Sequence, residues 1–248
     1  MTDVPVTLGI IPGAAEFYGE QLPKGAPNES QQGFIDAVYA GVGQGCVDMA
    51  AALRAHIGED IFYRTDHHWT TLGAYYGYAA LGEELGYEPE PLTSFSRQTV
   101  SDSFYGTSYS SSGYTWVEPD RIESFVETPA GLTVLNYNSG SPEAGALYHP
   151  QKLSEKDQYA YFLGGNTPLI TLADENSSSP SLLILRDSYS DCLAPFLLKH
   201  FGEIHLMDLR YYKDSVTDYI TANQIDRVLI IYSVDNFSSD KSLLMLDA

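Results

Sequence analysis

The chain has 248 residues, 44% hydrophobic and 19% charged, a globular composition long enough to bury a core unaided. Its 33 acidic residues against 13 basic ones leave a formal net charge of −20, which repels phosphate backbones and anionic lipid surfaces and argues against nucleic acid as a partner. Cys46 and Cys192 are the only cysteines, too few for a disulfide framework or a Cys-x-x-Cys metal knuckle; two buried free thiols are the simpler reading and one bridge stays open.

In chain order, residues 4–11 are an apolar, β-branched run stopped by Pro12-Gly13, which predicts a buried strand and a turn. Phe34, Ile35, Val38, Tyr39 and Val42 recur at helical spacing up to Gly43 and Gly45, and a second short helix is expected over 49–56. Ile61-Phe62-Tyr63 is a short strand candidate leading into the turn Arg64-Thr65-Asp66-His67-His68-Trp69. From Leu72, the positions Tyr75, Tyr76, Ala79 and Leu85 keep a helical face, with Gly86 placed to end it and Gly73 and Gly77 expected to let it sit close to a sheet.

Residues 93–180 change texture to short, tyrosine-rich pieces separated by Gly, Ser, Asn and Pro, which predicts an antiparallel insertion, with 175–181 an exposed loop. The α/β rhythm then returns: a strand at 182–185, a helix at 190–200, a strand at 204–207, a helix near 215–224 and a strand at 228–232. Continuous apolar strands alternating with helices predict a parallel sheet covered on both faces, an α/β fold across 1–248 as a single domain. Such sheets bind ligands beyond the carboxyl ends of their strands. No run approaches the roughly 18 apolar residues of a membrane helix, and Met1-Thr2-Asp3-Val4-Pro5 does not resemble a signal peptide, so no membrane insertion by this chain is expected.

The run at 182–185 leads straight into Arg186-Asp187-Ser188-Tyr189-Ser190, a strand, a sharp turn and a helix. A serine there stands at the carboxyl edge of the sheet, with free helix N–H groups toward any oxyanion formed beside it. The competing reading is that Ser188 or Ser190 only caps the helix. A serine hydroxyl needs a base, and among six histidines only His67 and His68 are adjacent, beside Asp66 in another strand-end turn. Across one intervening residue, the Asp66 carboxylate can hold one imidazole nitrogen of His68 and leave the other facing Ser188. A rival makes Asp66, His67 and His68 metal ligands, but no HExxH or further His/Asp cluster supplies the rest of a site. His67 is expected to pack or bond to backbone.

The segment Tyr63-Arg64-Thr65-Asp66-His67-His68-Trp69-Thr70 followed by Gly73-Ala74-Tyr75-Tyr76 closely resembles the signature of the bacterial DHHW protein family. The resemblance continues through Gly106-Thr107, Ser112-Gly113, 162–166, Asp187-Ser188-Tyr189, 195–197 and 208–212, most of the chain. That family resembles the SGNH-hydrolase-like proteins that O-acetylate alginate and cell-wall polysaccharides, in which an Asp-x-His motif precedes a Gly-Asp-Ser type motif. The resemblance implies a flavodoxin-like, three-layer SGNH fold in permuted order, with Ser188 as nucleophile, His68 moving the proton and Asp66 orienting it.

It also implies no cofactor, a carbohydrate or acylated small-molecule substrate, and an extracellular or cell-envelope location with leader or anchor outside this chain. Following the strand order after Ser188, the asparagine-bearing loop of SGNH enzymes falls at Val234-Asp235-Asn236, making Asn236 an oxyanion candidate. The glycine-bearing loop falls at Arg210-Tyr211-Tyr212, which has no glycine; Arg210 becomes a candidate partner of substrate or of a carboxylate. Arg186 stands where many relatives have glycine and could place a cation by the oxyanion; Tyr189 is a further substrate-side candidate. Tyr105, Tyr109, Tyr114 and Trp116 are candidates for one wall of a carbohydrate groove. The expected activity is a serine-dependent acetyl esterase or O-acetyltransferase; the alternative is a non-catalytic glycan-binding protein that keeps the fold.

Overall fold

A computed structural model describes residues 4–138 and 141–246. Its elements run β1 (Val6–Ile11), α1 (Ala14–Phe17), α2 (Gln31–Val42), β2 (Cys46–Val47), α3 (Met49–Arg54), α4 (Thr71–Leu85), β3 (Gln98–Phe104), α5 (Thr107–Ser112), β4 (Asp120–Ser124), β5 (Leu132–Asn136), β6 (Glu143–Ala144), β7 (Leu169–Asp174), β8 (Ser181–Arg186), α6 (Ala194–Leu197), β9 (Glu203–Met207), α7 (Val216–Ala222), β10 (Arg227–Ser233) and α8 (Val234–Ser239). An eight-stranded sheet has the order β2-β1-β10-β8-β9-β7-β5-β6. The first five of these are mutually parallel and the last three antiparallel. Taken from the other side, β9-β8-β10-β1-β2 is the flavodoxin-like order with its last two strands supplied by the start of the chain.

Strand side chains alternate between two cores, as the period of two requires. Leu182, Ile184, Ile204, Leu206, Leu229 and Ile231 face the layer holding Leu53, Trp69, Tyr78 and Phe196. Leu183, Leu185, Met207, Val228 and Tyr232 face the opposite layer with Val216, Tyr219 and Ile220 of α7. The expected three-layer α/β arrangement is therefore the observed one.

The strands of the 93–180 stretch pair antiparallel as expected, but its unity and three other local expectations need correction. The 93–180 stretch divides: β3 and β4 form a separate antiparallel pair, whereas β5, β6 and β7 extend the central sheet. The apolar face of β7, buried from Leu169 to Leu172, is what β9 needs on its open side. The expected helix over 190–200 is a 3-10 turn at Ser188–Ser190 followed by the single-turn α6, because Pro195 lacks the N–H that would continue a helical ladder. Ile61-Phe62-Tyr63 forms no strand; Phe62 bridges Trp69 while Tyr63 N–H donates to His68 O (3.2 Å) and Thr70 N–H to Ile61 O (2.9 Å), closing 61–70 into a tight loop. Both thiols are free, and Cys46 is only half-buried.

Helix α4 begins with Thr70 accepting the Gly73 N–H and ends in a left-handed Gly86, as its sequence predicts. Its glycines serve a different neighbour from the one expected. A Cβ at Gly77 would meet the Trp69 indole at 2.7 Å, and one at Gly73 would run into the Ile61 carbonyl, so the missing side chains make room for the 61–70 loop rather than for the sheet. Gly77→Ala is accordingly expected to destabilise by about 1–3 kcal/mol in urea unfolding, although alanine is the better helix former by roughly 1 kcal/mol.

Candidate active site

The 61–70 loop reaches the carboxyl edge of the sheet through its last aromatic residue. Trp69 is fully buried, and its indole N–H donates to the Tyr189 carbonyl at 2.9 Å. The Tyr189 hydroxyl returns a bond to the His67 carbonyl. These reciprocal bonds tie the loop to the turn that follows β8, across more than a hundred residues of chain.

Three groups meet there in a line. His68 Nε2 lies 2.7 Å from Ser188 Oγ, and His68 Nδ1 lies 2.5 Å from Asp66 Oδ1. Asp66 Oδ2 accepts both the N–H (2.7 Å) and the hydroxyl (3.0 Å) of Thr107, while Oδ1 also accepts the His68 N–H at 3.0 Å. Burial raises the Asp66 carboxyl pKa, but the hydrogen bond and charge of His68, the charge of His67 and the Thr107 N–H outweigh it, leaving the carboxyl well below its ordinary range. An ionised carboxylate only accepts, so His68 carries its proton on Nδ1 and turns a lone pair toward the serine hydroxyl. Asp66 and His68 are buried, whereas Ser188 is partly exposed at the end of the line.

Other residues hold this line in place. The Tyr159 ring stacks on the His68 imidazole at 3.8 Å and 10°, and its hydroxyl lies 3.3 Å from the Ser188 carbonyl oxygen. Gly106 is required by close approach, since a Cβ there would overlap the Asp66 carboxylate. Cys192, whose thiol lies 3.3 Å from the Tyr159 hydroxyl, has its pKa pushed up to about 12, chiefly by burial, and stays protonated near neutral pH.

Asp187 is fully buried and binds the Ser188 turn to the next strand. It accepts from Tyr189 N–H (3.0 Å), Ser233 N–H (2.8 Å), Ser233 hydroxyl (2.7 Å) and Asn236 Nδ2 (2.8 Å). Because Asp187 cannot donate to it, the Asn236 amide has a determined orientation, with a second Nδ2 hydrogen left over.

The remaining candidates fall differently. Arg186 does not place a cation at Ser188: it is fully buried at the end of β8 and pairs with Asp191, whose carboxyl burial pushes up to about 7 against the pull of Arg186. Tyr189 is buried as well, a strut to His67 rather than an open surface. Arg210 grips the buried Asp208 through Nε (2.9 Å) and Nη2 (2.6 Å), so a carboxylate partner is already in hand. Tyr105 and Tyr109 pair at 4.3 Å, and Tyr114 and Trp116 at 5.0 Å with both rings exposed. His67 packs against His68, one of its two expected roles, and its ring bonds to a side chain rather than to backbone: Nδ1 lies 2.6 Å from Thr107 Oγ1, and the ring is 45% exposed. A polar cavity of about 650 Å³ lies along the outer side of the same loop, lined by Asp60, Arg64, Arg97 and Glu123 but by none of the three aligned residues.

The family model for DHHW proteins matches residues 10–207. The chain belongs to the DHHW family. A DHHW family protein from Eubacterium siraeum DSM 15702 has the same fold, with TM-score 0.84 and 27% identity over 98% of this chain and 82% of that one. Bacillus cereus PatB1 with a sulfonyl adduct follows at TM-score 0.81 and 18% identity, covering 97% and 84%. The O-acetyltransferase domain of Pseudomonas putida AlgJ matches at TM-score 0.57 and 16% identity, covering 98% and 79%. The two less similar structures bear on the fold alone, which is SGNH-like. A search of the curated proteins finds no match.

In this DHHW protein the four signature residues thus do separate things: Asp66 and His68 form the line to Ser188, His67 faces out beside it, and Trp69 anchors the loop. Thr107, Tyr159 and Asp187 contribute as much to the geometry, yet no spacing rule points to them. Thr107 is named only through the DHHW resemblance and Asp187 only as part of the turn and motif around Ser188, neither with a role of its own. Asp66, His67 and His68 offer ligand atoms within 4.8 Å of one another, a set that could hold a metal ion. Metal binding there would compete with the Thr107 donors on Asp66 and with the Ser188 contact of His68.

Proposed function

We propose that this DHHW protein is a serine-dependent acyl-transfer enzyme, an acetyl esterase or O-acetyltransferase acting on extracytoplasmic carbohydrate. The observation that carries this reading is the unbroken line Asp66–His68–Ser188 ending at a partly exposed serine. Ser188 Oγ attacks the acyl carbonyl, forming the C–O bond, as its proton passes to His68 Nε2. The tetrahedral oxyanion collapses, and the alcohol leaves with the proton from His68, so that the acyl group rests on Ser188. Water or a sugar hydroxyl then attacks the acyl carbon, giving its proton to His68, and as this second tetrahedral intermediate collapses the acyl C–O bond to Ser188 breaks and Ser188 Oγ takes that proton back from His68.

Asp66 keeps the imidazolium oriented and compensated throughout. The Ser188 backbone N–H and the second Nδ2 hydrogen of Asn236 are the oxyanion donors in this reading. Tyr105, Tyr109, Tyr114 and Trp116, on the stretch that also supplies Thr107, offer flat faces to sugar rings. The acetyl assignment draws support from the O-acetyltransferase domain of AlgJ and reactivity toward sulfonyl reagents from the adduct of PatB1, while the carbohydrate assignment rests on the DHHW resemblance.

A sulfonyl fluoride such as phenylmethylsulfonyl fluoride is expected to add once, at Ser188, as read by peptide mass mapping. Wild-type protein that remains unlabelled while a control serine esterase is modified would sink the reading in favour of a non-catalytic glycan binder. Partition of the acetyl group between water and an added oligosaccharide separates esterase from transferase.

A further inference from the structure

The DHHW loop carries a second imidazole that the acyl-transfer line does not use. His67 lies against His68 with ring centroids 3.9 Å apart and planes tilted by 37°, and its side chain is 45% exposed. Its tautomer follows from its neighbours. The Thr107 hydroxyl has one proton, and its oxygen stands 3.0 Å from Asp66 Oδ2, an acceptor-only carboxylate oxygen that takes that proton. His67 Nδ1, 2.6 Å from the same hydroxyl oxygen and 3.6 Å from Asp66 Oδ1, must therefore be the donor. A neutral ring with its proton on Nδ1 presents Nε2 as a bare acceptor. Among the described residues, Nε2 has no hydrogen-bond partner.

The position is built rather than incidental. The His67 backbone carbonyl is held by the buried Tyr189 hydroxyl and the ring by Thr107, so the acceptor is presented by a braced residue beside the proton-transfer line. Burial first, and then the charge of His68, lower the His67 pKa and keep the ring neutral. The ring lies against His68, whose Nε2 is 2.7 Å from Ser188 Oγ, and this neighbourhood suits a donor on the carbon next to the one bearing the reacting oxygen.

We propose that His67 is a substrate-binding residue whose Nε2 accepts a hydrogen bond from the hydroxyl vicinal to the acylated oxygen, selecting polyol and carbohydrate esters over simple ones. The inference rests on the acyl-transfer reading above. Because making and breaking the ester pass through the same contact, it holds whether water or a sugar completes the reaction.

The test compares two esters that differ only in that hydroxyl: 1-O-acetylglycerol and 3-hydroxypropyl acetate. The wild-type kcat/KM ratio is expected to favour the first by about ten-fold, as a hydrogen-bonding site rejects an analogue lacking its partner. In His67→Ala the ratio should fall to near one, and His67→Gln, which supplies an amide oxygen, should recover part of it. The ratio is internal to each variant, so an overall loss of rate from loosening Thr107 or Asp66 does not imitate the effect. Sulfonyl fluoride labelling of Ser188 is run alongside. A wild-type ratio near one, a ratio unaltered in His67→Ala, or labelling at Ser188 with turnover of neither ester overturns the His67 assignment alone. Neither label nor turnover overturns the acyl-transfer reading and this inference together.

Discussion

Asp66→Asn is expected to lower kcat for an aryl acetate by roughly 10³ to 10⁴-fold, the scale seen when a serine-triad carboxylate becomes an amide. The reason is geometric. Asp66 accepts four hydrogen bonds, two from His68 and two from Thr107, and an asparagine can offer its single oxygen to only one of those sides. If the amide nitrogen faces His68, the imidazole proton moves to Nε2 and the serine hydroxyl loses its acceptor. If it faces Thr107, two donors meet head-on and the side chain is displaced.

The same substitution has a pH signature in stability. The folded Asp66 carboxyl titrates below its unfolded value of about 3.9, so its contribution is fully present above that pH and is lost as the pH falls through the lower folded value. Urea unfolding from pH 7 to pH 3 should show wild type the more stable protein at neutral pH, with the gap to Asp66→Asn narrowing below about pH 4. A gap that is constant across that range would mean that the folded carboxyl titrates normally.

Asp187→Ala is the substitution expected to cost most in stability, about 3–5 kcal/mol by urea unfolding. Asp187 is fully buried, and its removal strands the N–H of Tyr189, the N–H and hydroxyl of Ser233 and the Asn236 amide. Each buried donor left without a partner costs roughly 1–3 kcal/mol, and relaxation of α8 recovers part of the sum. Asp187→Asn restores one acceptor and should fall between the two. The Ser188 turn also loses its tether to β10, so sulfonyl fluoride labelling should slow in Asp187→Ala even under conditions where the protein stays folded.

The strands at 182–185, 204–207 and 228–232 were legible because each is a continuous apolar run, and the helix closed by Gly86 because capping is a local event. The errors arose where a local pattern had two structural solutions. The tyrosine-rich stretch looked like one insertion, but β7 carries an apolar face that the edge of the central sheet recruited. Arg186 looked like a cation beside Ser188, but the turn puts Asp191 within its reach, and the pair is buried instead. Gly73 and Gly77 announced close packing without saying against what, and the partner proved to be Trp69.

Two turns with chemically suited residues, Asp66 and His68 in one and Ser188 in the other, can be read from order and residue type alone, as can the α/β rhythm that places the Ser188 turn at the end of a sheet strand. Tertiary structure decided the rest: which imidazole nitrogen meets the serine, which carboxylate oxygen Thr107 holds, and which ring stacks on His68. These depend on contacts between segments 41 to 120 positions apart. Periodicity registers only neighbours two to four residues away, so packing alone determines the longer meetings.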